Sequence, residues 1–127
     1  MNELLKILIP ILISIESGGN PHAVGDGGRA VGILQIRPVV VAEVNQILGE
    51  QKYQLQDRRN PAKSREMCRI YLTYWAEQKA ITGTHREKDL VRLARLWNGG
   101  PRGDARKATL PYGKKVKKIW SRSQSLD

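Results

Sequence analysis

One carboxylate stands at the end of the most apolar stretch of this sequence. Residues 4–15 read LLKILIPILISI, and Glu16 follows them directly, before Ser17 and two glycines. At the C-terminus of a helix the backbone dipole disfavours another negative charge, and an apolar preceding turn disfavours ionisation too. We therefore expect the pKa of Glu16 to lie above the usual value of about 4.3. A carboxyl group that keeps its proton near neutral pH is suited to general-acid catalysis.

Helices are expected to position this carboxyl group. The first covers roughly residues 2–17 and ends at Gly18 and Gly19, and Pro10 either kinks it or restarts it. Residues 18–37 form a glycine-rich loop in which AVGILQI includes a short extended piece. Apolar spacing and proline or glycine breaks predict four further helices, at 38–48, within 60–81, at 85–97 and from about 111. The β-branched start of the second helix would also suit a strand.

Length and composition favour one compact, mainly helical domain. The 127 residues are enough for a single domain over 1–127, with a frayed tail at about 121–127 and a glycine-rich loop or small β element after the first helix. The single cysteine, Cys68, cannot form an internal disulfide, and its helical context favours a small buried side chain over a nucleophile. We expect a monomer.

The net charge of +10 predicts an anionic partner, which charge alone does not identify among nucleic acid, membrane surface and wall polymer. The densest basic cluster, residues 112–120, is either a solvated helix face or a docking patch. The apolar run at residues 4–15 contains Lys6 and is too short to span a bilayer. It also lacks a signal-peptide cleavage site, so we interpret it as a core helix and expect no export signal.

Four motifs follow one another along the chain: ESGGNPHAV, AVGILQI, LARLWNGGP and TLPYGKKV. In order and approximate spacing they resemble the motifs of lysozyme-like lytic transglycosylases and goose-type lysozymes, over roughly residues 5–120. The resemblance implies a lysozyme-like α+β fold. It also implies cleavage of the β-1,4 bond between N-acetylmuramic acid and N-acetylglucosamine in peptidoglycan, with no cofactor and no metal.

The first two motifs carry three residues with roles in that superfamily. The resemblance implies that Glu16 is the catalytic acid and that the neighbouring Ser17 is structural or lines the site. It also implies that Gln35 borders the saccharide cleft. An ordinary polar residue that closes a loop is the alternative for Gln35.

The last two motifs match less completely. Trp97 and Asn98 match a Tyr-Asn pair of the superfamily, and the tryptophan lacks the tyrosine hydroxyl. Because Trp97 lies on the apolar face of its helix, it is equally well interpreted as a core residue. Tyr112 matches a late tyrosine near the catalytic carboxyl, or simply caps the last helix. Where lytic transglycosylases often carry Glu-Thr, this chain has Ala108 and Thr109.

Asp26 decides between two chemistries. Lytic transglycosylases need one carboxyl, which closes an anhydro ring on the muramic residue. Inverting hydrolysis needs a second carboxylate roughly 6.5–9.5 Å from the acid to activate water. Asp26 matches one aspartate of goose-type lysozymes, whereas their next aspartate aligns with Arg37. The sequence slightly favours hydrolysis, with Asp26 positioning water. The alternative reaction is formation of the anhydro product, and the alternative role of Asp26 is that of an ordinary turn residue.

Other classes of protein explain the sequence less well. A metal-dependent hydrolase lacks a ligand cluster, since His22 and His85 are isolated. A basic nucleic-acid-binding helical domain fits the charge but leaves the four motifs unexplained. A degenerate lysozyme-fold binding module would not need Glu16. A basic muramidase without an export signal suggests a phage or prophage lysis enzyme or a virion component, made in the cytoplasm and held to the wall by anionic envelope polymers.

Overall fold

The computed structural model describes residues 1–125, which form two compact units. The first unit contains residues 1–12 and the chain from residue 75 onward; the second contains residues 13–74. The described chain is mainly helical with one small two-stranded sheet, as the sequence predicts. The helices are α1 (Asn2–Glu16), α2 (Pro38–Leu48), α3 (Pro61–Gln78), α4 (Arg86–Gly99) and α5 (Leu110–Ser125).

The predicted helix ends are confirmed by backbone geometry. Pro10 lies inside a single continuous α1, and Glu16 is the last residue of that helix. α2 is a helix rather than a strand, and Gly49 ends it at a φ of 73°. At the start of α3 the side-chain oxygen of Asn60 accepts a hydrogen bond from the backbone N–H of Lys63 at 3.0 Å, as an N-cap residue does.

The second unit places a small hairpin between α1 and α2. Strand β1 (Val24–Gly25) pairs antiparallel with β2 (Ala30–Val31), and the turn between them is a short 3-10 segment. The core of this unit includes fully buried side chains from the segment after the hairpin, from α2 and from α3, among them Leu34, Ile36, Val44, Met67 and Leu72. Cys68 is also fully buried, so the prediction of a small core residue is confirmed.

The first unit is built around α4 and α5. Leu90, Leu93 and Ala94 of α4 are buried, as is Val116 of α5. Gly113 permits a close approach, because a Cβ at this position would lie 3.0 Å from a methyl group of Val91. α5 continues through residues 121–125 of the segment expected to fray, and residues 126–127 lie outside the described residues. Among the described residues no helix is long and apolar enough to cross a membrane.

Gly32 has a packing role that a side chain would prevent. Its φ is +88°, and a Cβ would overlap the backbone carbonyl oxygen of Arg58. Its N–H donates to the carbonyl oxygen of Ala23 at 2.9 Å. The segment after β2 therefore lies directly on the chain that leads into α3.

We expect Gly32→Ala to lower the free energy of unfolding by about 3 kcal/mol, from backbone strain and overlap together. Gly27→Ala is the matched control, because Gly27 has a φ of +64° with open space around it. That variant carries strain alone and should lose about 1 kcal/mol. Urea denaturation measures both changes, and equal losses would contradict the role given to the Arg58 contact.

Candidate active site

Glu16 lies at the end of α1, in the second unit, where the chain turns into the hairpin. The N–H groups of Ser17 and Gly18 both donate to the carbonyl oxygen of Ile13, at 3.1 and 3.0 Å, and close the helix. The Glu16 side chain is half-buried. Its charge reaches the buried thiol of Cys68, whose pKa is raised mainly by burial and further by Glu16. The raised pKa expected for Glu16 itself stays a prediction.

Ser17 ties the end of α1 to the segment after the hairpin. Its hydroxyl donates to the carbonyl oxygen of Ile33 at 2.8 Å and accepts from the N–H of Gly19 at 3.0 Å. The first bond joins residues 16 positions apart, so it fixes the tertiary position of the chain next to Glu16. These bonds support the structural alternative for Ser17; lining the site stays a prediction.

The Gln35 side chain holds the hairpin through hydrogen bonds to backbone carbonyl groups. The residue has a φ of +50°, and its side-chain amide donates to the carbonyl oxygens of Ala23 and Gly32 at 3.1 and 3.0 Å. The amide oxygen lies so close to Gly25 that a Cβ there would be 2.6 Å from it. These contacts are those of a polar residue that closes a loop. A place at the border of a saccharide cleft stays a prediction.

Asp26 is exposed and ion-paired. Its carboxylate accepts a hydrogen bond from Nε of Arg37 at 2.7 Å, and Nε of Arg29 lies 3.9 Å away. The hydrogen bond and charge of Arg37 lower the pKa of Asp26. Arg37, which the resemblance aligns with the second aspartate of goose-type lysozymes, thus stabilises the ionised form of Asp26. A low pKa makes a carboxylate a weaker base toward water.

Arg58 supports this region and is not predicted from the sequence. Its guanidinium donates to the carbonyl oxygens of Arg29 and Ile36 at 2.8 and 3.0 Å, and its own carbonyl oxygen accepts from the hydroxyl of Ser64 at 2.8 Å. It therefore links β2 and its continuation to α3. No local sequence pattern signals such a role, because its partners lie 22 and 29 positions away.

The remaining predicted site residues belong to the first unit. Trp97 is 9% exposed and follows the buried Leu90 and Leu93 along α4, which supports the core alternative for its ring. Asn98 is exposed and Tyr112 is buried. Their roles in substrate binding stay predictions. Glu16, Ser17, Asp26 and Gln35 thus belong to the second unit, and Trp97, Asn98 and Tyr112 belong to the first.

Thr109, at the departure from the Glu-Thr pattern, is structural. Its hydroxyl accepts from Nε of Arg95 at 2.9 Å and donates to the carbonyl oxygen of Gly103. It thereby holds the turn between α4 and α5.

A groove of about 530 Å³ also lies in the first unit, lined by residues of α4 and α5 and by Asp104. Burial opposes ionisation of Asp104, but hydrogen bonds from Lys79 and Arg92, both at 2.9 Å, keep its pKa below the usual value. Asp104 is therefore bound in a fixed ion-pair cluster. Among residues 1–125 no group of three or more His, Cys, Asp or Glu side chains is placed to hold a metal ion.

The chain belongs to the family of transglycosylase SLT domains, whose family model matches residues 1–119. This match covers all four motifs and confirms the resemblance to lysozyme-like lytic transglycosylases. No curated protein and no solved structure gives a significant match. The fold is the lysozyme-like α+β fold, and the chain is a peptidoglycan-cleaving enzyme of that superfamily.

The contributions of Arg37 and Arg29 to the lowered pKa of Asp26 can be measured separately. We expect Arg37→Gln to raise the pKa of Asp26 toward the ordinary aspartate range, and Arg29→Gln, at the longer distance, to raise it less. The pKa of Asp26 is lower in the folded chain than in the unfolded chain. The ion pair therefore stabilises the fold fully at pH values above the unfolded-state pKa of Asp26, and this stabilisation is lost as the pH falls through its folded-state pKa. NMR titration of the Asp26 carboxyl carbon measures the shifts; equal effects of both variants would contradict Arg37 as the dominant partner.

Proposed function

We propose that this SLT-family chain is a lytic transglycosylase that cleaves peptidoglycan with Glu16 as its single acid and base. In the first step Glu16 donates its proton to the glycosidic oxygen between N-acetylmuramic acid and N-acetylglucosamine, and the bond from that oxygen to C1 of the muramic residue breaks. In the second step the 6-hydroxyl of the same residue gives its proton to Glu16 while its oxygen bonds to C1. The product is a 1,6-anhydro sugar, and Glu16 regains its proton.

The observation that carries this proposal is the position of Glu16. It is the last residue of α1 and is half-buried, and its charge adds to the effect of burial in raising the pKa of the Cys68 thiol. The helix end and the low polarity around it favour the protonated form of a carboxyl group. The family match spans this residue and supports glycan cleavage as its chemistry.

Asp26 supports the single-carboxyl route. Hydrolysis, the outcome favoured from the sequence, requires a carboxylate free to take a proton from water. Asp26 is instead held by Arg37 at 2.7 Å, with Arg29 also close, and its pKa is lowered. Arg37 cannot replace the missing second aspartate, because a guanidinium stays protonated.

Hydrolysis is the second candidate, and one observation favours it. Asp26 is ionised and exposed on the loop between Glu16 and Gln35, so its carboxylate can accept hydrogen bonds from solvent. A muramidase of the goose type would use it to orient the attacking water and to accept the proton that this water loses. In that case Asp26→Asn would reduce turnover, whereas the transglycosylase mechanism leaves turnover nearly unchanged.

The decisive experiment is digestion of purified peptidoglycan followed by mass spectrometry of the fragments. Wild-type protein should release fragments that are 18 Da lighter than the corresponding reducing sugars, because no water is added. Glu16→Gln should lower the rate at least ~100-fold, since it removes the general acid while keeping the shape of the side chain. Circular dichroism and thermal unfolding show whether the fold is retained.

Glu3→Gln is the matched control, because Glu3 lies in the same helix and forms only an exposed ion pair with Lys6. It should leave the rate unchanged. Reducing-end fragments would overturn the transglycosylase route in favour of hydrolysis. Full activity of Glu16→Gln would overturn the role of Glu16 in both.

We further propose that α5 holds the enzyme to anionic wall polymers. The helix carries no acidic residue, and five of its exposed side chains are cationic: Lys114, Lys115, Lys117, Lys118 and Arg122. Of these, Lys117 pairs with Glu87 of α4 at 3.4 Å. This distribution supports the docking-patch alternative for residues 112–120, since charge of one sign along a helix concentrates the local field.

Removing charge from α5 should weaken adhesion to walls. We expect the triple variant K114Q/K115Q/K118Q to bind pelleted wall that carries phosphodiester polymers roughly tenfold more weakly, with a shallower salt dependence. The control K52Q/R59Q/R65Q removes three exposed charges from the second unit. Equal losses in the two triples would show that only net charge matters, and would contradict a docking face on α5.

A further inference from the structure

The groove of about 530 Å³ in the first unit carries more positive than negative charge. Its charged lining residues are Lys88, Arg92, Arg95 and Lys117, together with Glu87 and Asp104. Each carboxylate is already paired with a lining cation, at 2.9 Å for Asp104 and 3.4 Å for Glu87. The charges of Lys88 and Arg95 are therefore not balanced within the groove.

Arg95 is held in one orientation by acceptors that carry no charge. Its Nε donates to the hydroxyl of Thr109 at 2.9 Å, and its Nη2 donates to the carbonyl oxygen of Arg106 at 2.8 Å. The methylene part of the side chain lies against α5, since a Cβ at Gly113 would be 3.1 Å from Cδ of Arg95. Among residues 1–125 the guanidinium forms no ion pair. Its remaining N–H groups are thus fixed and able to donate to an anion.

Lys88 lies on the same side of α4 as Arg95. Positions 88 and 95 are close to two helical turns apart, which places their Cα atoms about 10 Å from each other along the axis. Lys88 is exposed, and its side chain has no hydrogen bond or ion pair within the described part of the chain. Two cations at this spacing suit an extended polymer with repeated negative charges, because both contacts then form within one molecule.

We propose that this groove binds a phosphodiester-linked anionic polymer of the cell wall, with one phosphate group on Arg95 and another near Lys88. The inference rests on the wall adhesion proposed for α5 and identifies the contacts that recognise the polymer. The two free oxygens of a phosphodiester match the planar fork of a guanidinium. A groove of about 530 Å³ also has room for the polyol or sugar that links two phosphates.

The test measures binding of a soluble glycerol phosphate oligomer to the full chain by isothermal titration calorimetry. Arg95→Lys keeps the charge but removes the fork, so the dissociation constant should rise about tenfold. Lys88→Gln removes an exposed charge and should raise it about threefold. Arg86→Gln is the matched control, because Arg86 is exposed on the same helix outside the groove. It should change the dissociation constant by less than about twofold.

Unfolding temperatures are measured for the same variants, because Arg95→Lys also disturbs the contacts with Thr109 and Arg106. Lys88→Gln disturbs no such contact, so it decides the test if Arg95→Lys does not fold. Wild-type affinity in Lys88→Gln and in a folded Arg95→Lys would overturn the site. A loss in Arg86→Gln as large as in Lys88→Gln would overturn it too, since net charge alone would then explain binding.

Two further probes identify the chemistry of the ligand. Inorganic phosphate should bind at least about tenfold more weakly than the oligomer, because it offers a single anionic group. Polyglutamate of similar charge should also bind more weakly, since its carboxylates lie on flexible side chains that must be ordered on binding. Equal affinity for phosphate and oligomer would overturn the polymer, and equal affinity for polyglutamate would overturn the choice of phosphodiester.

The triple variant K114Q/K115Q/K118Q separates this site from the adhesion proposed for α5. Weaker wall binding in the triple, with wild-type affinity in both groove variants, would keep the adhesion and remove the groove. Wild-type wall binding in the triple, with losses in both groove variants, would keep the groove and remove the role of α5. The oligomer does not contain the bond that Glu16 cleaves, so neither result depends on the proposed cleavage.

Discussion

The region around Glu16 depends on hydrogen bonds from side chains to backbone carbonyl groups. The hairpin after α1 has strands of only two residues each, which supply few ladder bonds of their own. Ser17, Gln35 and Arg58 add to them by donating to carbonyl oxygens of residues 23–36. Together with backbone bonds such as that from Gly32 N–H to the carbonyl oxygen of Ala23, these three donors hold the chain that follows Glu16.

This way of building a site has a consequence for its electrostatics. The exposed carboxylate of Asp26, in the turn of the hairpin, pairs with Arg37 at the start of α2. The pair joins the turn of the hairpin to the next helix and keeps Asp26 ionised. The half-buried acid and the exposed carboxylate therefore have opposite environments, which is the condition under which two carboxyl groups of one fold differ in role.

Much of the fold could be predicted because its signals are local. The spacing of Leu90, Leu93 and Ala94 marks the buried face of α4, and Asn60, Pro61 and Gly49 mark helix ends through their own backbone preferences. The ambiguous β-branched start of α2 was settled by its surroundings, since Val41 and Val44 are buried at helical spacing. A residue such as Trp97 carried two interpretations because helical phase does not distinguish a core from a binding surface.

The sequence by itself determined the helices, the place of Glu16 at a helix end and membership of a glycan-cleaving family, since each rests on neighbouring residues or on motif order. Only the tertiary structure decided what the other polar residues do. Asp26 meets Arg37 across 11 positions, Ser17 meets Ile33 across 16, and Arg58 meets Arg29 across 29. Such contacts depend on how helices and loops pack, and no periodicity within a single element encodes them.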